Sequence, residues 1–203
     1  MKKKPDTKFA SVMWLMAQYD DEPRHAEHVT TLALKMFDDL KQLHRSGEHE
    51  RDLLEAGGLL HDIGWSQGES GHHKSSMNLI LSSGLEGWTE NDELIIANIA
   101  RYHRKSLPKS RHKKFDKLSK ADQLVVWKMA SLLRLADGLD HFHDRIVNGV
   151  SCHIGSDNIE MTLTTREDTD PQIPSFEKKK DMFEMTFGKS VTIKTDRSNS
   201  NEE

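Results

Sequence analysis

From Phe9 to about residue 147 the apolar residues recur at three- and four-residue steps, the spacing that lines one face of an α-helix. The pattern predicts helices over 8–19, 23–45, 49–63, 72–83, 90–103 and 119–140, with Gly47, Gly64, Gly84, Gly87 and Pro108 at the breaks. Beyond Ile146 the period changes. Val147 to Ile154 and Asn158 to Thr165 alternate as strands do, around the turn residues Gly155, Ser156 and Asp157. A polar loop with two prolines, Thr165 to Ser175, precedes a helix from Phe176 to Phe187 that aligns Met182, Phe183 and Phe187. Val191 to Ile193 reads as a short last strand, and 196–203 as a disordered tail. The expected fold class is mainly α, a helical bundle with a small α+β appendage at the C-terminus. Its expected division is 1–147, 148–195 and the tail 196–203.

Two polar features break this pattern. His61 and Asp62 sit inside the apolar run from Leu53 to Gly64, where an imidazole and a carboxylate are costly to bury without compensation. Asp137 ends the row Val126, Ala130, Leu133, spaced i, i+4, i+7, i+11, so its carboxylate prolongs an apolar stripe. A divalent cation compensates such groups, and His25, His28, His72, His73 and His103 supply further nitrogen donors on other predicted helices.

Composition narrows the alternatives. With 203 residues, 35% hydrophobic and 31% charged, the chain can bury a sizeable core under a hydrated surface. Its net charge of −4 gives no general attraction to nucleic acid or membrane, so any basic patch is local. Twelve histidines beside the single Cys152 favour nitrogen and oxygen ligands over thiolate, and a reducing compartment. Lys2 to Lys4 followed by Phe9 to Ala17 loosely imitates a signal peptide. Pro5, Asp6 and Lys8 interrupt it and no small-x-small site follows, so a cytoplasmic location is expected. No stretch reaches transmembrane length.

Four segments together spell H…HD…D: Arg24 to Val29, Leu60 to Gly64, Gly71 to Ser75 and Leu135 to Asp140. This order resembles the HD superfamily of metal-dependent phosphohydrolases. His72-His73-Lys74, Arg101 to Lys105, Leu132 to Asp140 and Asp181 to Glu184 extend the resemblance over nearly the whole chain, to the C-terminal HD module of the exopolyphosphatase and guanosine pentaphosphate phosphohydrolase (Ppx/GppA) family. In that family the module usually follows an actin-like ATPase-fold half, which these 203 residues do not contain. The expected function is therefore that of an enzyme, a metal-dependent phosphohydrolase acting on a small phosphate ester or phosphoanhydride; the alternative is a module that binds a nucleotide or polyphosphate without cleaving it, as partner of a separate ATPase-fold half.

Carried over by residue, the resemblance implies a divalent metal held by His25, His61, Asp62 and Asp137. It implies a second ion bridged by Asp62 and held by His73 and His103, with His72 as the alternative to His73. Imidazole and carboxylate suit Mn²⁺, Mg²⁺, Fe or Zn²⁺, one ion or two. Such an ion acidifies a water for attack on phosphorus, so no covalent side-chain nucleophile is required. Lys74, Arg101, Arg104, Lys105 and Arg134 lie in or beside the ligand segments as phosphate-binding candidates, with Lys74 and Arg101 also expected to assist catalysis beside His61 and Asp62. The expected partner is a small phosphorylated substrate, not nucleic acid or membrane; a homo-oligomer stays open.

Blander readings apply elsewhere. A lone helical histidine is usually a surface or hydrogen-bonded residue, so His28 is read as structural, and His44, His49, His112, His141, His143 and His153 as surface or structural. Lys113-Lys114 and Lys178-Lys179-Lys180 read as solvated faces. Asp140 reads as a helix-end residue supporting the ligands, and Trp65 as a candidate for the mouth of the pocket.

Overall fold

The computed structural model describes residues 8–20, 23–165 and 173–197. The lysines at 2–4, most of the expected loop and the tail from 198 lie outside the described residues. In chain order the helices are α1 (Lys8–Tyr19), α2 (Arg24–Asp39), α3 (Lys41–His44), α4 (Glu48–Leu59), α5 (His72–Ser83), α6 (Glu90–Arg101), α7 (Lys113–Asp116) and α8 (Lys120–Leu139), with a 3₁₀ turn at Ile63–Gln67 between α4 and α5. Then follow β1 (Val147–Ile154), β2 (Asn158–Thr165), α9 (Ile173–Lys179), α10 (Asp181–Phe187) and β3 (Ser190–Arg197). The fold is mainly α with a small three-stranded sheet, as the periodicity predicts.

Local chemistry places the helix starts. Thr89 accepts the Asp92 backbone N–H while the Asp92 carboxylate accepts from the Thr89 N–H, a reciprocal cap that opens α6. Ser119 accepts from the Asp122 N–H and opens α8. α8 is the axis of the molecule. Every residue from Met129 to Leu139 is buried, because α2, α4 and α6 pack around it and α9 and α10 close its remaining side.

Some elements depart from the expected boundaries. The predicted helix over 23–45 is interrupted at Leu40, and Arg45 ends α3 in the left-handed region. The predicted 49–63 and 90–103 helices stop at Leu59 and Arg101, so the His61-Asp62 doublet and His103 occupy turns rather than helix interiors. The expected single helix after residue 176 is two helices broken at Lys180. The last strand runs to Arg197, so residues 196 and 197 of the expected tail are ordered into the sheet.

β1 and β2 form an antiparallel hairpin with Ile154 opposite Ile159, and β3 pairs parallel to β2 with Val191 opposite Ile159. The parallel pairing follows from the connection: a chain that leaves β2 and returns in the same direction needs a crossover, which α9 and α10 provide. β1 packs on α2, and the His28 imidazole meets the Val147 carbonyl oxygen at 2.8 Å across that contact, the structural role expected of it. Gly138 lets α9 approach α8 closely, since a Cβ there would lie 3.1 Å from the Phe176 Cα.

Cys152 sits on β1 with its backbone N–H donating to Asp39 (2.9 Å). Burial, reinforced by the Asp39 charge, pushes its thiol up to about 12. The reactive thiolate is correspondingly scarce, so alkylation by iodoacetamide at pH 8 is expected to run roughly a hundredfold slower in the native chain than in urea. Mass spectrometry of the labelled fraction against time checks this; equal rates would contradict it.

Candidate metal centre

The residues of the H…HD…D pattern come from five places that α8 brings together. His25 lies in the first turn of α2, His61 and Asp62 in the turn after α4, and His72 at the first position of α5. His103 follows the last turn of α6, and Asp137 ends the buried stripe of α8. All are buried or nearly so.

Each imidazole is fixed through Nδ1. His61 contacts the Gly58 carbonyl oxygen (2.6 Å), His103 that of Ala100 (2.6 Å) and His72 that of Glu69 (3.1 Å). A carbonyl only accepts, so in these three Nδ1 carries a proton and Nε2 is turned to the centre, unpartnered in His61 and met by Arg104 Nη1 at 3.1 Å in His72. His25 Nδ1 is held by Asp140 Oδ2 at 2.8 Å, with Asp140 fully buried. That is the carboxylate–histidine pairing which orients metal-binding imidazoles, and it fits the supporting role expected of Asp140.

The Nε2 atoms converge on Asp62 from two sides. Oδ2 faces His25 (3.7 Å) and His61 (3.5 Å), while Oδ1 faces His72 (3.2 Å) and His103 (3.6 Å). Asp137 Oδ1 lies 3.6 Å from His25 Nε2. Ligand atoms held about 2.0–2.2 Å from one ion sit roughly 3.0–3.6 Å apart, which is the spacing seen here. Three overlapping groups result among the described residues, His25 with His61 and Asp137, Asp62 with His72 and His103, and His25 with Asp62 and His143, each with donor atoms within 4.8 Å of one another. His25 Nε2, His61 Nε2 and Asp62 Oδ1 are buried without a hydrogen-bond partner. Unpaired buried polar atoms aimed at one point fit a divalent cation.

Charge follows the same geometry. Burial opposes ionisation of Asp62, yet His61, the His72 contact and His103 hold its carboxyl well below the usual range. For Asp137 burial is again opposed, here by Lys179 and His25, and the carboxyl is held far down. Desolvation lowers His103 to about 3, so it stays a neutral donor. Burial disfavours a charge on His25, but Asp137, Asp140 and Asp62 outweigh it and raise its pKa to about 9.

Other expected site residues fall elsewhere. His73 joins none of these groups, and its neighbour His72 joins one. Successive helical residues point about 100° apart, so only one of the pair can face Asp62. Desolvation, with Arg101, His72 and Arg104 nearby, depresses His73 to about 4. Arg101 lies against the Tyr102 ring and lines a separate small cavity with Asn98 and His112, and Lys74 is exposed; neither lines the cavities beside Asp62. The structure thus places both away from Asp62, on the far side of His73. Arg104 does reach it, with Nη1 3.1 Å from His72 Nε2. Lys105 and Arg134 line a neighbouring basic cavity, Arg134 tied to Asp181 (3.1 Å) and to the Lys105 carbonyl oxygen.

Three residues at the centre were read as surface or structural. Lys179, at the end of α9, pairs with Asp137 and lines the cavity over the ligands. His143 stacks on His25 with centroids 3.6 Å apart, and groups with His25 and Asp62 as donors. His141 lines the cavity beside it. A lysine run has no local mark of burial; only the docking of α9 on α8 turns one of the three inward.

Residues 8–174 match the family model described as Ppx/GppA phosphatase, domain III. Among the described residues no helix is long and apolar enough to cross a membrane.

Proposed function

Since the chain belongs to the Ppx/GppA phosphatase domain III family, we propose that its histidine–aspartate centre holds one or two divalent ions and hydrolyses a phosphate ester or phosphoanhydride of a small phosphorylated molecule, a nucleotide or a polyphosphate-like chain. One observation carries this reading: Asp62 turns one oxygen to His25 and His61, whose Nε2 atoms are buried without a hydrogen-bond partner, and the other to His72 and His103. Mn²⁺, Mg²⁺, Fe²⁺ and Zn²⁺ all accept such donors. Ions bound there would supply Lewis-acid polarisation of the phosphoryl group and activation of water.

The side chains do the remaining work. Asp140, Gly58, Ala100 and Glu69 hold the imidazoles so that the donor set needs little reorganisation. Arg104 and Lys179 stand over the ligands in a cavity of about 240 Å³ and would bind the non-bridging oxygens of a phosphoryl group. In this proposal the unit at 1–147 carries the metal ligands and the appendage at 148–195 contributes Lys179.

Metal-free full-length chain incubated with Mn²⁺ is expected to hydrolyse p-nitrophenyl phosphate, bis-p-nitrophenyl phosphate or a nucleoside triphosphate, and to lose this in EDTA and in His61→Ala. Arg104→Met and Lys179→Met are expected to raise KM about tenfold each, the effect of removing one charge-assisted phosphate contact. Tight metal binding with no turnover of any of these compounds would leave a phosphate-binding module instead of an enzyme.

A further inference from the structure

The space around the centre has two arms of opposite character. One, of about 520 Å³, is lined by Arg104, Lys105, Arg134, Lys178 and Lys179 and joins the metal cavity through Arg104, His141 and Lys179. The other, of about 530 Å³, opens from His25 and Asp62 and is walled by Tyr19, Trp65, Ser66 and His143, with Asp20 at its edge. Lysine and arginine are absent from this second lining among the described residues, and two carboxylates belong to it. A chain of phosphates gains nothing by entering it.

Its aromatic walls are unusually open. Trp65 stacks one side of its indole on the His72 ring, with centroids 4.6 Å apart, and is still 42% exposed. Tyr19, at the end of α1, is 39% exposed across the same cavity. Large aromatic surface beside a polar centre suits a flat, neutral, π-bearing group, and the volume suits a ligand of nucleoside size. Resting on the phosphohydrolase reading above, we propose that Tyr19 and Trp65 form a stacking subsite for the base of a nucleotide, whose phosphates run across the Asp62 centre into the basic arm. Of the two substrate classes, the nucleotide is then preferred over an inorganic phosphoanhydride chain.

Calorimetric titration of the Mg²⁺-loaded full chain with the β,γ-imido analogue of ATP and, separately, with inorganic tripolyphosphate tests this in wild type, Tyr19→Ala and Trp65→Leu. Loss of one aromatic face is expected to weaken analogue binding about tenfold, within the range measured for base stacking on aromatic side chains, and to leave tripolyphosphate within about twofold. Tyr19 makes no hydrogen bond, ion pair or ring contact with the proposed ligands among the described residues, so its variant reports on the base, whereas Trp65→Leu also loses the packing on His72 and is judged by the ratio of the two affinities. Equal weakening of both compounds in Tyr19→Ala, or no change in either, overturns the subsite. Binding with this selectivity but without hydrolysis keeps the subsite and removes the phosphohydrolase reading. Hydrolysis of tripolyphosphate with an unmoved affinity ratio does the reverse.

Discussion

Asp62→Ala is expected to abolish both ion sites at once, whereas loss of one histidine removes only one. Asp62 is the residue whose two oxygens face different imidazole pairs, His25 and His61 on one side and His72 and His103 on the other. Removing it takes away the one carboxylate that faces both imidazole pairs and leaves Asp137 as the remaining anion, on the His25 side alone, which lowers affinity for a divalent cation by well over a hundredfold; even residues behind the ligands are worth about 10–100-fold. Metal analysis after dialysis against limiting Mn²⁺ should find roughly two ions per chain in wild type, one in His103→Ala and near none in Asp62→Ala. Metal-dependent hydrolysis in Asp62→Ala should fall by roughly a thousandfold or more. Circular dichroism should be unchanged, because the carboxylate contributes no apolar packing to the bundle. Retention of ions by Asp62→Ala at wild-type stoichiometry would contradict the convergence on which the proposed function depends.

Gly64→Ala is expected to have the largest effect on stability for the smallest change in volume. A Cβ at 64 would lie 2.1 Å from the His72 carbonyl oxygen and 2.5 Å from the Ser76 backbone nitrogen. These are main-chain atoms at the start of α5 and have no rotamer by which to retreat. The contact is also a junction: the Gly64 N–H donates to Ser76 Oγ (2.9 Å), and that hydroxyl donates to the His61 carbonyl oxygen (2.7 Å). To accept a methyl group, α5 must move off the His61-Asp62 turn by about 1 Å or more to restore ordinary contact distances, which breaks both hydrogen bonds. Overpacking on rigid backbone costs about 3 kcal/mol or more, a fall in Tm of about 6–12 °C for a chain of this size. His72 leaves with α5, so the group it shares with His103 and Asp62 should lose metal before the other does. Calorimetry and metal analysis on one preparation check both effects, and a Tm within about 2 °C of wild type would refute the close approach.

The helices were legible because their apolar period is local: α1, α2, α4, α5, α6 and α8 start within a few residues of their expected positions, the four-residue α3 and α7 were not expected as separate helices, and the β1–β2 hairpin follows its alternation. Their ends were less so. His61, Asp62 and His103 read as helical from periodicity yet lie in turns, because the backbone leaves the helical path at Leu60 and Tyr102, which periodicity does not mark. The break at Lys180 and the parallel pairing of β3 had no signal within their own segments. Both depend on where α9 lands on α8.

The sequence by itself determined the donor types, their order along the chain and the burial of Asp137 at the end of an apolar stripe, because period and polarity are properties of neighbouring residues. Tertiary structure alone turned His72 rather than His73 toward Asp62, brought Lys179 and His143 to the same place, and set Arg101 beside another cavity. Each of those outcomes depends on the direction a side chain takes once helices dock. Direction differs by about 100° between adjacent helical residues, and in a row such as His72-His73 or Lys178-Lys179-Lys180 residue type does not say which one faces the partner.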